Sequence, residues 1–278
     1  MKSINLSLDY LEINESCFLK FVLLSMVSIV LIGTGNIATH LFDTFSLYDA
    51  THVIQVVGRS QESLSYFSDK VDTRLLTNQI KEADIYIVAV SDDAIPEVSK
   101  KLKPLKGLVV HTSGSVAMTA LLSNNIGVFY PLQTFTKGKK VNFKNIPICI
   151  EAEKSANLKT LSSIAEVISD TVYNITSEQR KHLHLAAVFV NNFTNYMYAI
   201  GNDICDINNV PFDILKPLIK ETALKIEGLS PLDAQTGPAK RDDIETMQRH
   251  LGQLKSRNQQ KIYKLLSESI QKKYGKKL

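Results

Sequence analysis

Through roughly the first two-thirds of the chain, apolar residues gather in short continuous runs. Beyond that they recur only at helical spacing. Val27–Ile32 (VSIVLI), His52–Val57 (HVIQVV), Ile85–Val90 (IYIVAV), Gly107–Val110, Val128–Tyr130, Ile146–Ile150 (IPICI) and Thr171–Ile175 (TVYNI) predict strands. Runs that do not alternate with polar residues suit strands covered on both faces. Helix-compatible stretches lie between them: the residues through Phe42, Ser63–Lys70, the segment begun by Pro96, and Ser155–Ile168. Strands alternating with helices predict an α/β fold, a doubly wound and mostly parallel sheet on right-handed crossovers.

At Ser177 the pattern changes. Thr176-Ser177-Glu178 offers a capping start, and no strand-like run follows. Glu178 to about Asn208 reads as one long helix with Leu183, Ala186, Ala187, Val190, Met197 and Ile204 at helical spacing. Pro211–Glu227 predicts a second helix, ended near Gly228 and kinked at Pro217. Asp242–Leu254 and Gln259–Lys272 complete an all-α part. The expected division is 26–176 for the sheet domain and 177–278 for the helical one. Residues 1–25 are expected to be an extension outside the fold, with Met26 the natural start. Asp9, Glu12 and Glu15 stand where a signal peptide would be basic, and Lys20 interrupts the apolar Phe18–Leu24.

Composition narrows the partners. An apolar content of 44% and a charged content of 22% suit a globular protein with a sizeable core. The net charge of +4 comes largely from the terminal KKYGKKL, which gives no reason to expect nucleic acid or a membrane as partner. Cys17, Cys149 and Cys205 are too scattered for a zinc site or a disulfide framework. No metal is expected, and the compartment is expected to be cytoplasmic.

The chemistry begins where the first strand ends, at Gly33-Thr34-Gly35-Asn36-Ile37-Ala38. This is the strand–turn–helix of the Rossmann dinucleotide fingerprint G-x-G-x-x-G/A. Gly33 permits the turn, Gly35 leaves the backbone bare for a pyrophosphate, and Ala38 lets the helix approach the strand. The helix N-terminus then offers N–H groups to phosphate. The second strand ends in Gly58-Arg59-Ser60, with Arg59 about where an NAD-binding fold carries an acidic residue. A guanidinium and a hydroxyl suit a 2′-phosphate, so NADP(H) is favoured over NAD. Val90 and Ser91 skirt the same crevice, with Asp92 or Asp93 as a cap for the following helix. His111-Thr112-Ser113-Gly114-Ser115 at the end of another strand should face it too.

In the helical part, His184, Asn191 and Asn195 share a face at ~100° per residue, and Asn192 lies roughly 80° from His184. This polar stripe is either a site or a contact with another helix or subunit. Thr236-Gly237-Pro238-Ala239-Lys240-Arg241-Asp242-Asp243 leads into a helix with His250 further along. Aspartate in a first helical turn needs no special reason, whereas Arg241 there opposes the dipole and asks for an anionic partner.

Together, GTGNIA (33–38), HTSGS (111–115), YPLQTF (130–135), His184…Asn192 in HLAAVFVNNF, and TGPAKRDD (236–243) with His250-Leu251 resemble the Rossmann-like proteins carrying a C-terminal DUF2520 domain. That family is associated with NADP- or F420-dependent oxidoreductases of no established substrate. Its layout is similar to that of pyrroline-5-carboxylate reductase and the β-hydroxyacid dehydrogenases. The resemblance implies a cofactor crevice between domains, a homodimer through the C-terminal helices, and Asn192 as partner of His184, where helix geometry favours Asn191. Two departures stand out. The Lys and Asn four residues apart of the β-hydroxyacid dehydrogenases are absent, since Leu185 follows Lys181 and Val188 follows His184. The family's usual small residue before the second Asp is Asp242 here.

The expected function is hydride transfer between NADP(H), with NAD or F420 as alternatives, and a small carbonyl, imine or hydroxyl substrate. His184 would relay the proton, with Asn191 or Asn192 orienting it. Arg241, with Asp243 beside it, would hold an anionic group, and Gln133 and Ser113 would line the pocket. The alternative is an NADP(H)-binding scaffold or redox sensor without turnover.

Overall fold

A computed structural model describes residues 26–274. The expectation for residues 1–25 lies outside the described part. The chain divides into two compact units, one running to Ala187 and the other from Val188.

The first unit is built on β1 (Val27–Ile32), α1 (Asn36–Phe45), β2 (Thr51–Gly58), α2 (Gln61–Leu64), β3 (Thr73–Leu75), β4 (Ile85–Val88), α3 (Ile95–Leu102), β5 (Leu108–His111), β6 (Ile126–Pro131), β7 (Ile148–Ala152), α4 (Ser155–Ile168), β8 (Val172–Asn174) and α5 (Ser177–Ala187). The strands form one eight-stranded sheet in the order β3-β2-β1-β4-β5-β6-β7-β8. Every pairing is parallel except β6 with β7. The order reverses between β1 and β4, and open α/β sheets bind ligands at that switch point, beyond the carboxyl ends of the strands.

The continuous apolar runs are explained by two buried faces. Ile29, Leu31, Ile85, Ile87 and Val110 pack with Leu41, Phe45 and Phe67 on one side. Val30, Ile32, Tyr86, Val88 and Val109 pack with Ile95, Val98 and Leu102 on the other. Burying each such side chain is worth about 1.5–3 kcal/mol, so the sheet is where the unit's stability is concentrated.

Three expectations in this unit change. The helix expected over Ser63–Lys70 is only Gln61–Leu64, closed at its start by a reciprocal cap between Ser60 and Ser63. β3 (TRL) is too short and too polar to leave a periodic signature. Neither Asp92 nor Asp93 caps α3: a 3₁₀ turn over Asp92–Ala94 precedes it, Pro96 sits in its first turn, and Asp92 instead accepts a hydrogen bond from the Ser115 hydroxyl.

The second unit is helical: a π-helical segment at Val188–Phe193, then α6 (Thr194–Ile207), α7 (Lys216–Gly228), α8 (Pro231–Ala234), α9 (Ile244–Gln253) and α10 (Arg257–Tyr274). The π segment corrects the single long α-helix expected over 178–208. Its wider turn is marked by the Thr194 hydroxyl donating to the Phe189 carbonyl five residues back, so an even 100° per residue does not carry from His184 to the asparagines. Pro217 does not kink α7. It lies in the first turn, where its missing N–H costs nothing, after a 3₁₀ turn over Phe212–Leu215. No helix among the described residues is long and apolar enough to cross a membrane.

Candidate functional site

At the switch point, the residues where β1 gives way to α1 line a cavity of about 290 Å³ together with the ends of β2 and β4. Of the residues expected to bind a cofactor, Gly33, Thr34, Gly35, Ile37, Arg59, Val90 and Ser91 line it. Ile32, Val57, Leu76, Ala94 and Val98 add an apolar slot beside the turn.

The two glycines do different work. Gly33 has φ +124°, and a β-carbon there would stand 2.1 Å from the Ala89 carbonyl oxygen. Its N–H donates to the Val57 carbonyl at 2.8 Å, so it locks the turn between two strands. Gly35, the residue that caps α1, has φ −76°, and a β-carbon on it would meet nothing within 4 Å. The turn therefore needs no glycine at 35 for its own packing. The bare backbone faces open space beside a helix N-terminus whose capping position supplies no side-chain acceptor. Such a terminus leaves N–H groups for an anion.

Ser60 and Asn36, also expected to bind the cofactor, follow lining residues in the chain but do not themselves line the cavity. The Ser60 hydroxyl accepts from the Ser63 N–H at 3.3 Å and keeps its own proton to give. The Asn36 amide donates to the Phe135 carbonyl at 2.9 Å and His40 Nε2 lies 3.1 Å from the Thr136 carbonyl, which fixes the loop after β6 against α1. Arg59 is exposed at the cavity edge, available to an anion. A bare glycine turn, a free helix end, an apolar slot and a guanidinium at the rim fit the diphosphate, adenine and 2′-phosphate of NADP(H).

His111 and Ser113 are not brought to this cavity. His111 is fully buried, its Nδ1 accepting from the Ser113 N–H at 3.2 Å. Burial, with the Arg180 charge adding, holds its pKa down at about 4, so it is a neutral structural group. The Ser113 hydroxyl accepts from the N–H groups of Ser115 and Val116 at 3.1 and 3.0 Å, stapling the HTSGS turn.

That turn has a partner that the expected site lacked. Arg180, on α5, is wholly buried. Its Nε donates to the Ser113 carbonyl at 3.1 Å, and its Nη2 to the Val116 carbonyl at 2.5 Å and the Ser177 hydroxyl at 3.2 Å. Nη1 pairs with the Glu151 carboxylate at 2.5 Å. Glu151, from β7, also accepts from the Ser177 N–H and hydroxyl at 2.9 and 2.7 Å. One guanidinium thus binds the start of α5 to two strand ends. The available signal was its spacing: Arg180 lies one turn before His184, beside Leu183, which packs on Val128, Tyr130 and Cys149.

His184 is half-buried, its Nδ1 3.1 Å from the Tyr130 hydroxyl oxygen. The rings meet edge to face, with centroids 6.1 Å apart. Tyr130 opens the YPLQTF motif but carried no role in the expected site. Burial pushes its phenol up to about 12, keeping it neutral. Gly114 lies beneath the pair: a β-carbon there would be 2.5 Å from His184 Nδ1 and 2.8 Å from Tyr130 Cζ. Asp92 to Ser115 links this cluster to the loop that carries Ser91, so both sites share the carboxyl end of the sheet.

The remaining candidates lie in the second unit. Asn191 and Asn192 are exposed in the π segment, the amide of the first donating to the second at 3.2 Å. π segments are frequent at functional sites. Arg241 precedes α9 instead of occupying its first turn, so the opposition to the helix dipole disappears; its N–H donates to the Pro238 carbonyl at 3.1 Å and its side chain is exposed. Asp243 is the cap of α9, accepting from the Thr246 N–H at 3.1 Å, and those bonds hold its carboxyl below the ordinary value. Asp242 sits at φ +58°, a conformation that explains a preference for a small residue and that aspartate tolerates better than most. His250 Nδ1 lies 2.8 Å from the Tyr263 hydroxyl, joining α9 to α10.

Residues 28–112 match the family described as NADP oxidoreductase coenzyme F420-dependent, and residues 146–270 match the domain of unknown function DUF2520. A Bacteroides fragilis protein provisionally named an NADP oxidoreductase is 41% identical, with 90% of this chain and 99% of that one covered at a TM-score of 0.81. A Thermotoga maritima protein is 21% identical, with 88% and 97% covered at a TM-score of 0.68. The 1-pyrroline-5-carboxylate reductase of Streptococcus pyogenes is 13% identical, with 89% and 98% covered at a TM-score of 0.58; these last two likenesses speak for the fold. No curated protein matches the chain.

Proposed function

From a chain that belongs to the NADP oxidoreductase family uniting an F420-dependent-type N-terminal domain with a C-terminal DUF2520 domain, we propose an NADP(H)-dependent enzyme. It exchanges hydride with a small carbonyl, imine or hydroxyl substrate. The observation that carries this is the bare Gly35 turn beside Arg59: glycine there answers no packing need, and a ligand phosphate would use the freed space. When bound, the nicotinamide supplies or accepts the hydride.

The chain's own residues have separable tasks. Backbone N–H groups around Gly35–Ile37 hold the diphosphate, Arg59 and Ser60 the 2′-phosphate, and Leu76 and Val98 flank the adenine. His184 moves the proton. Asn191 or Asn192 orients the reacting group, Arg241 binds a substrate carboxylate or phosphate, and Gln133 lines the substrate pocket. Ser113 acts through the turn it staples.

The helical domain also serves as the dimer interface. Among the described residues beyond Ala187, only Cys205, Ala239 and Met247 are buried apolar side chains, while Ile214, Leu218 and Leu265 are each more than 60% exposed in the single chain. A surface this apolar calls for a partner, and a second copy is the one the fold offers.

A screen of carbonyl and imine compounds following NADPH oxidation tests the reading. Turnover that falls at least 100-fold in His184→Ala supports it. NADPH binding with no turnover of any substrate would favour the scaffold or sensor.

A further inference from the structure

Tyr130 stands on a buried strand and His184 on a helix locked by Arg180, so neither backbone is free to adjust. The close approach of their side chains is allowed only because residue 114 has no β-carbon. Nδ1 of His184 faces the phenol at 3.1 Å, and among the described residues Nε2 has no hydrogen-bonding partner. We propose that Tyr130 is a positioning residue that holds Nδ1 of His184, leaving Nε2 as the atom that carries the exchangeable proton. Nε2 is thereby the ring nitrogen left to exchange a proton with a substrate. This rests on the role given to His184 above and adds the atom through which it acts and the residue that fixes it.

The reasoning is one of donor and acceptor accounting. In the neutral ring the phenol O–H donates to Nδ1, which obliges the ring proton to sit on Nε2. In the imidazolium, Nδ1–H donates to the phenol oxygen and Nε2 keeps its proton. Nε2 thus presents N–H in both resting states. A neutral ring with a bare Nε2 would leave the phenol hydrogen without its acceptor on His184. The phenol's raised pKa keeps it from surrendering its proton instead.

When His184 gives its proton, the Nε2–H bond of the imidazolium breaks as an O–H or N–H bond forms on a substrate whose carbon would take its hydride from the bound cofactor. The ring is left for the moment in the less favoured Nδ1–H form, until water returns a proton to Nε2.

The ring nitrogens of the ¹⁵N-labelled full chain test this without substrate, with the His184 signals identified by their loss in His184→Asn. In the wild type at neutral pH the neutral ring is expected as the Nε2–H form alone. Tyr130→Phe, checked to melt as the wild type does, is expected to give a mixture of both tautomers. Gly114→Ala, which keeps both side chains but pushes them apart, should do the same. Where NADPH-dependent turnover is measurable, Tyr130→Phe should lower kcat about tenfold with KM within about twofold. A wild-type ring protonated on Nδ1, or a tautomer that neither substitution changes, overturns the proposal. A locked Nε2–H form in a chain that turns over no carbonyl or imine supports the pairing while overturning the enzymatic reading.

Discussion

Replacing Gly35 and Gly33 in turn by alanine separates what the glycine turn does for the fold from what it does for a ligand. At Gly35 the backbone (φ −76°) is ordinary for any residue and a new β-carbon meets nothing within 4 Å. Gly35→Ala should therefore melt within about 2 °C of the wild type, since alanine even lowers the entropy of the unfolded chain slightly. The methyl would occupy the space through which a diphosphate reaches the backbone. A charge-assisted hydrogen bond is worth about 1.5–3 kcal/mol, so losing one weakens NADPH binding about 10- to 150-fold. At Gly33, φ +124° and an oxygen 2.1 Å from the added carbon bring strain and overpacking at once. The cost is roughly 2–6 kcal/mol, seen as a lowered Tm. Calorimetric titration with NADPH alongside thermal melts reads both effects. A Gly35→Ala variant that binds NADPH as tightly as the wild type would refute the placement of the diphosphate.

Arg59→Ala should lose NADPH affinity at least tenfold while leaving NADH binding within about twofold, because only the former carries a 2′-phosphate; equal losses for both would contradict its role. Arg180→Met leaves the Glu151 carboxylate without its buried cation and strips the Ser113 and Val116 carbonyls of their donors. Breaking such a pair costs ~3 kcal/mol, a fall in Tm of roughly 6–12 °C for a unit of this size, and a change under 2 °C would show the clamp to be dispensable. His111 is held neutral, with its pKa near 4 against about 6.5 when unfolded. The unfolded chain therefore binds the extra proton first: the stabilisation is complete above pH 6.5, drains as pH falls toward 4, and is worth about 3 kcal/mol in all. Chemical denaturation between pH 7 and 4.5 should show His111→Gln losing less stability than the wild type; parallel profiles would refute it.

Much of the first unit could be read directly from the sequence, because strands buried on both faces must be apolar without interruption. β1, β4 and β5 announce themselves for that reason, and the glycines after β1 mark the turn. β3 escaped because three residues at a sheet edge need no apolar pattern. The π segment escaped for a different reason: its sequence VFVNNF satisfies an α-helical pattern, and only the hydrogen-bond offset distinguishes it. In the site, Gly33, Gly35 and Arg59 were legible as a spaced motif that depends on local chain geometry. Tyr130, Gly114 and Arg180 were not, since their roles come from pairings across 54, 70 and 67 residues of chain that no local spacing encodes. His111 misled in the opposite sense, since a polar residue ending a strand can turn inward when its neighbours supply a hydrogen bond. Arg241 looked anomalous only while it was placed inside a helix that in fact begins after Asp243.

We propose that this chain holds NADP(H) at the Gly33–Ala38 turn with His184 at the reacting end. A crystal structure of the full chain grown with NADPH tests it most directly. Diphosphate oxygens are expected within ~3 Å of the backbone N–H groups after Gly35, with Arg59 paired to the 2′-phosphate and the nicotinamide lying toward His184 Nε2. A nucleotide seated elsewhere on the chain, or one whose nicotinamide points away from His184, would contradict it.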